Sequence, residues 1–310
     1  MELNGRIINP GERCVVQIPV ANLPSGTEIN LHAHVFNSKE PGQTILLTGG
    51  VHGDEINGIE IVRRAIKSPK VRNLKRGTII AIPLVNVYGF INFSRAFPDG
   101  KDVNRSFPGT KNGSLASRIA YTFTNKILPH ADYCMDFHTG GRSIYNYPQV
   151  RFDKKDLLSK ELAQTFEMPY LIESSHISNS LRKTAFSKNI PMIVFEGGES
   201  SRIDEYSISE ALKGIERVLV EKGMIEKEIV KGESKEIHEK SWVRANKSGI
   251  FIAKKLSGDY VEKGDELGAI TDPNNSYQSK VTAKAAGYIF GHNNNPVVNK
   301  GDALYHIGNI

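Results

Sequence analysis

The stretch "TILLTGGVHGDEINGIEIVRRAI" (residues 44–66) joins an apolar run to a helical pattern through a short polar segment. Residues 44–51 have the continuous apolar character of a strand that is buried on both faces. From Ile56 onward, apolar residues recur at helical spacing, which predicts an amphipathic helix. His52 and Glu55 therefore lie three positions apart, where a buried strand gives way to a helix.

The same alternation of strand and helix continues from residue 43 to residue 225, and it determines the expected fold class. The runs that predict strands are "QTILLTGGV", "GTIIAIPLVNV", "DYCMDFH" and "IPMIVFEGG". The runs that predict helices are "EINGIEIVRRAI", "SLASRIAYTFTNKIL", "KKDLLSKELAQTF", "SLRKTAFSKN" and "SISEALKGIERVLVEKG". Such alternation predicts an α/β fold with a mostly parallel mixed sheet and helices on both faces.

The pattern changes near the C-terminus, which predicts a second domain. Residues 223–240 are charge-rich, which indicates a boundary or linker, residues 241–310 lack a helical period, and "YVEKGDELGAI" and "VVNKGDALYHI" repeat a Lys-Gly-Asp turn between short apolar runs. This repeat is typical of a small all-β module with two similar halves. It resembles the biotinyl/lipoyl-type barrel-sandwich, but a carrier-lysine motif is not evident, which favours a structural or capping role. We therefore expect a larger catalytic domain at 1–228, opened by short strands over 1–40, and a β-rich domain at 229–310.

The composition of the chain indicates which classes of binding partner and which cellular compartment to expect. The formal net charge is +6, and 24% of the residues are charged. Because acidic residues interleave with the lysines and arginines, this charge indicates a solvated surface and no nucleic-acid site, although it favours anionic small substrates. No apolar run is long enough to span a membrane, and the N-terminus lacks a signal-peptide pattern. Only two cysteines, Cys14 and Cys134, are present, which fits a reducing cytoplasm.

Three predicted strands end in side chains that can bind a metal or move a proton. His52 and Glu55 follow the first, His138 follows the second and Glu196 follows the third. Ligands of open α/β sheets bind outside the carboxyl ends of the strands, so we expect these side chains to meet. His52, Glu55 and His138 match the His₂Glu set of catalytic zinc, which predicts one Zn²⁺ per chain. The competing interpretation, acids placed at the positive end of a helix dipole, does not account for His138. Asp136 can either orient His138 or lie at the sheet surface.

Four motifs, "GGVHGDE", "DVNRSFPG", "DFHTG" and "FEGGE", resemble those of the succinylglutamate desuccinylase/aspartoacylase family and occur in its order. That family belongs to the zinc carboxypeptidase-like group, and the resemblance extends over nearly the whole chain. It implies that the protein is a zinc-dependent deacylase, which hydrolyses the amide bond of an N-acyl amino acid or a related N-acyl amine. It also implies that His52, Glu55 and His138 bind the zinc.

The resemblance implies further roles. Glu196 is expected to act as general base and then as general acid. Arg95 resembles the arginine that stabilises the developing oxyanion, although a surface position is the competing interpretation. Asn104 and Arg105 resemble the pair that holds a substrate carboxylate. For Arg182, in the helical pattern "SLRKTAF", we favour a surface position over a further anion contact.

Substrate selectivity is expected in the loop "TGGRSIYNYPQV" (139–150), where Arg142 and Tyr145 are candidates for substrate binding. Tyr260 and Tyr277 are candidates for a residue that reaches the active site from the C-terminal domain. The expected partner is a small N-acylated substrate that carries a carboxylate. Neither nucleic acid nor a membrane is expected as a partner, and a homo-oligomer is left open.

Two other functions are compatible with the same sequence. A metallocarboxypeptidase that acts on peptides would use the same residues in a more open groove. A non-catalytic binding or carrier protein would depend on the C-terminal module instead.

Overall fold

The computed structural model describes residues 1–23, 25–230 and 232–310. The strands are β1 (Glu2–Leu3), β2 (Arg6–Ile7), β3 (Arg13–Asn22), β4 (Glu28–Asn37), β5 (Glu40–Gly49), β6 (Arg76–Ile82), β7 (Tyr133–Gly140), β8 (Ile144–Phe152), β9 (Tyr170–Glu173), β10 (Met192–Glu199), β11 (Lys235–Ile237), β12 (Glu239–Arg244), β13 (Gly249–Ala253), β14 (Tyr260–Val261), β15 (Glu266–Thr271), β16 (Gln278–Thr282), β17 (Gly287–Asn293), β18 (Val297–Val298) and β19 (Ala303–Asn309). The helices are α1 (Ile56–Lys67), α2 (Pro69–Arg72), α3 (Val87–Ile91), α4 (Leu115–Lys126), α5 (Leu157–Phe166), α6 (Leu181–Ser187) and α7 (Glu205–Glu221), with 3₁₀ turns at Val103–Arg105 and Leu128–His130.

Thirteen strands form one large mixed sheet. Its main order is β12-β19-β17-β8-β10-β7-β5-β6-β4-β3, with β14 on β17, β9 on β8 and β11 on β9. The centre, β6-β5-β7-β10, is parallel, as the alternation of strands and helices predicts. The expectation of a mostly parallel sheet is wrong for the sheet as a whole, because β3 and β4 on one side and β8, β17, β19 and β12 on the other add antiparallel pairs.

Helices cover both faces of the parallel centre, as predicted. On β5, Leu46 belongs to one core cluster, whereas its neighbours Ile45 and Leu47 belong to the other. The first cluster contains residues of α4 and α6, and the second contains residues of α1, α5 and α7. Because successive side chains of a strand point to opposite faces, a strand between two helical layers must be apolar throughout.

The C-terminal strands are joined directly to this sheet. Residues 229–230 and 232–310 form strands and loops only, and β17 pairs with β8 through Gly291 and Asn146. Strands β13, β15, β16 and β18 form a second sheet of four strands. The division of the chain at 228/229 stays a prediction, since strands on both sides of it pair with each other. The resemblance to a biotinyl/lipoyl-type module also stays a prediction.

One segment differs from its prediction. Residues 144–150, expected as part of a specificity loop, belong to strand β8, which lies between β10 and β17. Its two neighbours in the sheet are distant in sequence, so local periodicity carries little information about it. Among the described residues, no helix has the length and apolar character that crossing a bilayer requires.

Helix α1 lies unusually close to β7, and this contact brings the start of the helix beside the end of the strand. A Cβ atom at Gly58, in the first turn of α1, would lie 2.1 Å from the backbone oxygen of Phe137. Glycine at position 58 therefore permits a distance between helix and strand that any side chain would increase.

We expect Gly58→Ala to destabilise the protein, because α1 must move away from β7. Overpacking of this kind costs about 1–3 kcal/mol, which exceeds the roughly 1 kcal/mol by which alanine is favoured over glycine inside a helix. Urea unfolding would measure the change. Lys67→Ala, on the exposed side of the same helix, is the control and should leave the free energy of unfolding within about 0.5 kcal/mol. Equal stability of the two variants would contradict the close-contact argument.

Candidate metal centre

His52, Glu55 and His138 meet at the carboxyl end of the parallel strands. One ligand atom from each residue lies within 4.8 Å of the other two. His52 Nδ1 is 2.7 Å from Glu55 Oε1, and His138 Nδ1 is 2.7 Å from Glu55 Oε2. All three side chains are buried, with Glu55 only 2% exposed. The predicted convergence of these residues is therefore observed.

Glu55 occupies the N-cap position of α1, but its carboxylate does not cap the helix. Instead it faces both histidines, accepts a hydrogen bond from Thr139 N at 3.1 Å and contacts Arg95 Nη1 at 3.1 Å. The alternative in which this acid serves only the helix dipole is therefore not supported by the contacts of its side chain.

A second carboxylate contacts the outer nitrogen of each histidine. Asp136 Oδ2 is 2.8 Å from His138 Nε2, and Asp102 Oδ1 is 3.1 Å from His52 Nε2. Asp136 is 1% exposed, and Thr48 Oγ1 donates to its other oxygen at 2.6 Å. Of the two alternatives for Asp136, the structure supports the orienting one. Asp102 was not predicted, although it stands two positions before Asn104 in the "DVNRSFPG" motif.

The carboxylates control the protonation of the histidines. Burial alone would lower the pKa of His138, but Asp136 and Glu55 raise it well above its usual value. Burial would also lower the pKa of His52, but Glu55 and the hydrogen bond to Asp102 outweigh this effect and raise it. The two histidines in turn hold the pKa of Glu55 well below its usual range despite complete burial. The centre therefore keeps a buried carboxylate ionised between two imidazoles.

This donor set fits a metal ion. A carboxylate at each Nε2 favours the tautomer with the proton on that nitrogen, which leaves the Nδ1 lone pair facing the centre. Two imidazole nitrogens and one carboxylate are an established ligand set for catalytic zinc. His52, Glu55 and His138 can thus hold one metal ion, and Asp102 and Asp136 can orient its histidine ligands.

The centre opens into a cavity of about 410 Å³, and Glu196 lies in its wall. Glu196 pairs in register with His138 across β10 and β7. Asn146 Nδ2 donates to Glu196 Oε2 at 2.9 Å, and Arg151 Nη1 is 3.1 Å from Oε1. Both oxygens of Glu196 are therefore held by side chains of β8.

The three residues predicted from the loop after β6 also line this cavity. Arg95 bridges two carboxylates of the centre, since it contacts both Glu55 and Asp102 Oδ2. Asn104 Oδ1 accepts from the backbone nitrogen of Leu181, which ties the loop to the start of α6. Arg105 is exposed at the cavity and donates to the backbone oxygen of Asn104 at 2.7 Å.

Arg142 and Tyr145 are not brought to the cavity. Ile144 and Asn146 line it, and alternation along β8 points the intervening Tyr145 to the other face of the sheet. There the ring of Tyr145 lies 5.2 Å from that of His292. Arg142 lies in the turn before β8, exposed and with φ +56°. These two substrate-binding predictions are therefore not supported by the geometry.

Other cavity residues were not predicted. Arg182, expected at the surface, is buried at 7% exposure and lines the cavity, as does Arg151. From the C-terminal strands the wall receives Lys240, Trp242, Phe290 and His306. Neither of the proposed tyrosines, Tyr260 and Tyr277, is among the lining residues. No local motif marks the four C-terminal residues, because pairing of β12, β17 and β19 brings them to the site.

Comparisons with known proteins identify a matching family model and a similar sequence. The family model described as the succinylglutamate desuccinylase/aspartoacylase catalytic domain matches residues 41–221. The N-alpha-acetyl-L-2,4-diaminobutyric acid deacetylase of Halomonas elongata is 27% identical over 312 residues, which cover 95% of this chain and 90% of the relative.

Two solved structures have the same fold as this chain. The product-bound structure of the ectoine utilization protein EutE (DoeB) from Ruegeria pomeroyi has a TM-score of 0.86 at 23% identity, covering 100% of this chain and 98% of that one. A succinylglutamate desuccinylase/aspartoacylase from Rhodobacter sphaeroides has a TM-score of 0.82 at 24% identity, covering 96% and 95%.

We expect Asp102→Asn and Asp136→Asn each to weaken metal binding by about 10–100-fold, because the outer carboxylates orient the ligand histidines. Titration of zinc against a competing chelator would measure the affinity. Asp99→Asn, an exposed acid in the same loop as Asp102, is the matched control and should bind zinc like the wild type. If all three variants bound zinc equally, the outer carboxylates would have no such role.

Metal affinity should fall as the pH falls, because protons compete with the metal for His52 Nδ1 and His138 Nδ1. The carboxylates raise both pKa values, so this loss should begin at a higher pH than for ordinary histidines, whose pKa is about 6.5. Calorimetry in buffers of different ionisation enthalpy would show protons released on zinc binding near neutral pH. Binding without proton release would contradict this assignment.

Proposed function

The chain belongs to the succinylglutamate desuccinylase/aspartoacylase family, and from this membership we propose that it is a zinc-dependent deacylase. The proposed reaction is hydrolysis of the amide bond of an N-acyl amino acid or a related N-acyl amine. One observation carries the proposal: the buried His52–Glu55–His138 group opens into the same cavity as Glu196. The deacetylase activity named for the Halomonas elongata relative supports the same reaction class.

The reaction adds one water across the amide. A C–O bond forms at the acyl carbon, the C–N bond breaks, the acyl group leaves as a carboxylate and the amine leaves as an ammonium ion that has gained both protons of the water. Zinc held by His52, Glu55 and His138 would lower the pKa of water and polarise the acyl carbonyl. The remaining steps need a group that transfers protons from the water to the leaving nitrogen, and Glu196 is the proposed one.

Glu196 is well held for this role. Asn146 and Arg151 each contact one of its oxygens, which fixes the orientation of the carboxylate within the cavity. A general base must approach the water within hydrogen-bond distance, so a fixed orientation favours transfer. Glu196 takes the proton from the attacking water and delivers it to the leaving nitrogen.

The arginines of the loop after β6 complete the proposed machinery. Arg95 lies against Glu55 and Asp102, so its positive charge is held beside the metal ligands, where an oxyanion would develop. Asn104 and Arg105 are proposed to hold the substrate carboxylate, for which a guanidinium offers two parallel donors. The Asp102 side chain contacts both His52 and Arg95, so it positions a ligand and the oxyanion group together.

The cavity wall favours a deacylase over a peptidase. The C-terminal strands contribute Lys240, Trp242, Phe290 and His306 to the same cavity as the metal ligands. A volume of about 410 Å³ is in the range of small-molecule sites and suits an N-acyl amino acid better than an extended peptide. A non-catalytic carrier would have no need of a buried His–Glu–His group.

We also propose that residues 1–228 form the catalytic domain and that residues 229–310 form a domain that closes its cavity. A cytoplasmic location is proposed as well, since Cys14 and Cys134 are free thiols, which suits a reducing compartment.

Glu196→Gln should reduce kcat by about 10²–10⁴-fold, because the amide cannot accept the proton of water. The assay is release of free amine from a panel of N-acyl amino acids by the zinc-loaded enzyme. Glu199→Gln is the matched control, since Glu199 is outside the cavity wall and accepts a hydrogen bond from Asn294. Removal of zinc by a chelator should abolish turnover, and zinc should restore it. Full activity of the metal-free protein or of Glu196→Gln would contradict the proposal.

A further inference from the structure

A second cavity lies between α4 and α6, apart from the metal centre. It is formed by residues from 121–125 of α4, from 183–188 in α6 and at its end, and from 107–109 of the loop before α4. It is called the α4–α6 cleft below. Its volume of about 490 Å³ lies in the range of small-molecule sites. Among the described residues, none lines both this cleft and the metal cavity, so the two are separate.

Two helix faces form the walls of the α4–α6 cleft. On each helix the lining residues stand at positions i, i+3 and i+4, which places them on one face. These residues are Tyr121, Thr124 and Asn125 of α4, and Thr184, Ser187 and Lys188 in and directly after α6. Phe107 adds a rigid apolar part, since it is 1% exposed and packs edge-on against Phe123 with ring centroids 6.0 Å apart.

Thr124 contributes a hydroxyl that the protein leaves without a partner. The residue is 2% exposed and lines the cleft, and its Oγ1 has no hydrogen-bond partner among the described residues. A threonine within a helix often bonds to the carbonyl oxygen four positions earlier, and Thr124 does not. Because a buried hydroxyl without a partner costs free energy, its presence here is explained by a ligand that bonds to it.

The walls of the cleft are rich in donors and carry no negative charge among the described residues. Lys183 and Lys188 line the cleft, and no acidic side chain does. Lys183 Nζ lies 4.9 Å from the centroid of the Phe186 ring, a contact that leaves its N–H donors available. A ligand that satisfies these groups must therefore be rich in acceptors, as carboxylates and phosphates are.

Two hydrogen bonds connect the cleft to the loop that carries Asn104 and Arg105. Phe107 N donates to Asn179 O at 3.0 Å beside the cleft, and Leu181 N donates to Asn104 Oδ1 at 2.9 Å beside the metal cavity. Both bonds join this loop to the segment that begins α6. A ligand that contacts both segments in the cleft would therefore stabilise the arrangement in which Asn104 and Arg105 line the metal cavity.

We propose that the α4–α6 cleft is a second small-molecule site, which binds a metabolite with a carboxylate or phosphate group and thereby activates the enzyme. Lys183, Lys188 and Thr124 bind the anionic group. The two ligands do not touch, and the loop with Asn104 and Arg105 couples their sites. The activation rests on the proposed function, whereas the binding does not. Because a coupling free energy is reciprocal, substrate tightens the binding of the metabolite by the same factor.

Three compounds with one three-carbon framework test the class of ligand: glycerol, glycerate and glycerol 3-phosphate. Calorimetry with the zinc-loaded full chain should give one of the two anions a dissociation constant about tenfold or more below that of glycerol, the effect of hydrogen bonds to charged groups. The anion that binds more tightly identifies the group as carboxylate or phosphate. If neither anion binds better than glycerol, the proposal is overturned.

Variants locate the bound anion. Lys188→Met and Thr124→Val should each raise its dissociation constant about tenfold. Lys111→Met, an exposed lysine outside the cleft, is the matched control and should bind like the wild type. Arg105→Met should also bind like the wild type, because Arg105 lines the metal cavity and not the cleft. An anion weakened by Arg105→Met and not by Lys188→Met would lie in the metal cavity and would overturn the proposal.

Thr124→Val also distinguishes a ligand-binding hydroxyl from a structural one. A hydroxyl without a partner does not stabilise the ligand-free protein, so the urea midpoint of the ligand-free variant should equal or exceed that of the wild type. The preferred anion should raise the midpoint of the wild type and raise that of the variant less. A lower midpoint for the ligand-free variant would show that the hydroxyl has a structural partner and would contradict its assignment to a ligand.

Turnover tests the activation. The preferred anion at saturation should lower KM for the best substrate of the N-acyl panel about fivefold with kcat unchanged, and this effect should be lost in Lys188→Met. An unchanged or higher KM with the anion bound at the cleft would overturn the activation and leave the site. If no N-acyl compound is hydrolysed but the anion binds in a manner that depends on Lys188, the proposed function fails and the second site stands.

Discussion

The buried, ionised carboxylate of Glu55 is the constraint on which the rest of the site depends. A charge that is 2% exposed must be matched by donors, and here two histidines, Arg95 and one backbone amide supply them. These donors come from three places in the chain: the turn after β5, the loop after β6 and the end of β7. The site is possible only because parallel strands bring their carboxyl ends to one edge. The close contact between Gly58 and β7 also helps to place Glu55 beside His138, because Glu55 is the residue immediately before α1.

The parts of the fold that follow from local pattern were predictable. Apolar runs with glycines at their ends marked β5, β6, β7 and β10, and helical periodicity marked α1, α4, α5, α6 and α7. Strand β8 was not predictable in this way, because its sequence, with a proline and mixed polar residues, resembles a loop. It is a strand because β10 and β17 pair with it from both sides. Pairing between segments far apart in sequence also explains why the sheet is more antiparallel than expected.

The residues of the site show the same difference between local pattern and long-range pairing. His52, Glu55, His138 and Glu196 each lie near or shortly after the end of a recognisable strand, so their meeting could be inferred from the sequence. Arg182 could not be placed, because a short amphipathic helix does not reveal which face a polar residue occupies. The positions of Lys240 and His306 could not be predicted either, because they depend on how β12 and β19 continue the large sheet. The candidate metal ligands are therefore encoded by local motifs, whereas the C-terminal part of the cavity wall is encoded by the tertiary pairing of strands.

Strand β8 connects these two parts. It carries Asn146 and Arg151, which hold the two oxygens of Glu196 and line the cavity. On its other side Asn146 pairs with Gly291 of β17, so the C-terminal strands are hydrogen-bonded to the strand whose side chains hold Glu196. A shift of those strands would therefore disturb Glu196 and the cavity wall together. Continuity of the sheet thus makes the C-terminal strands part of the framework that holds Glu196 in the cavity.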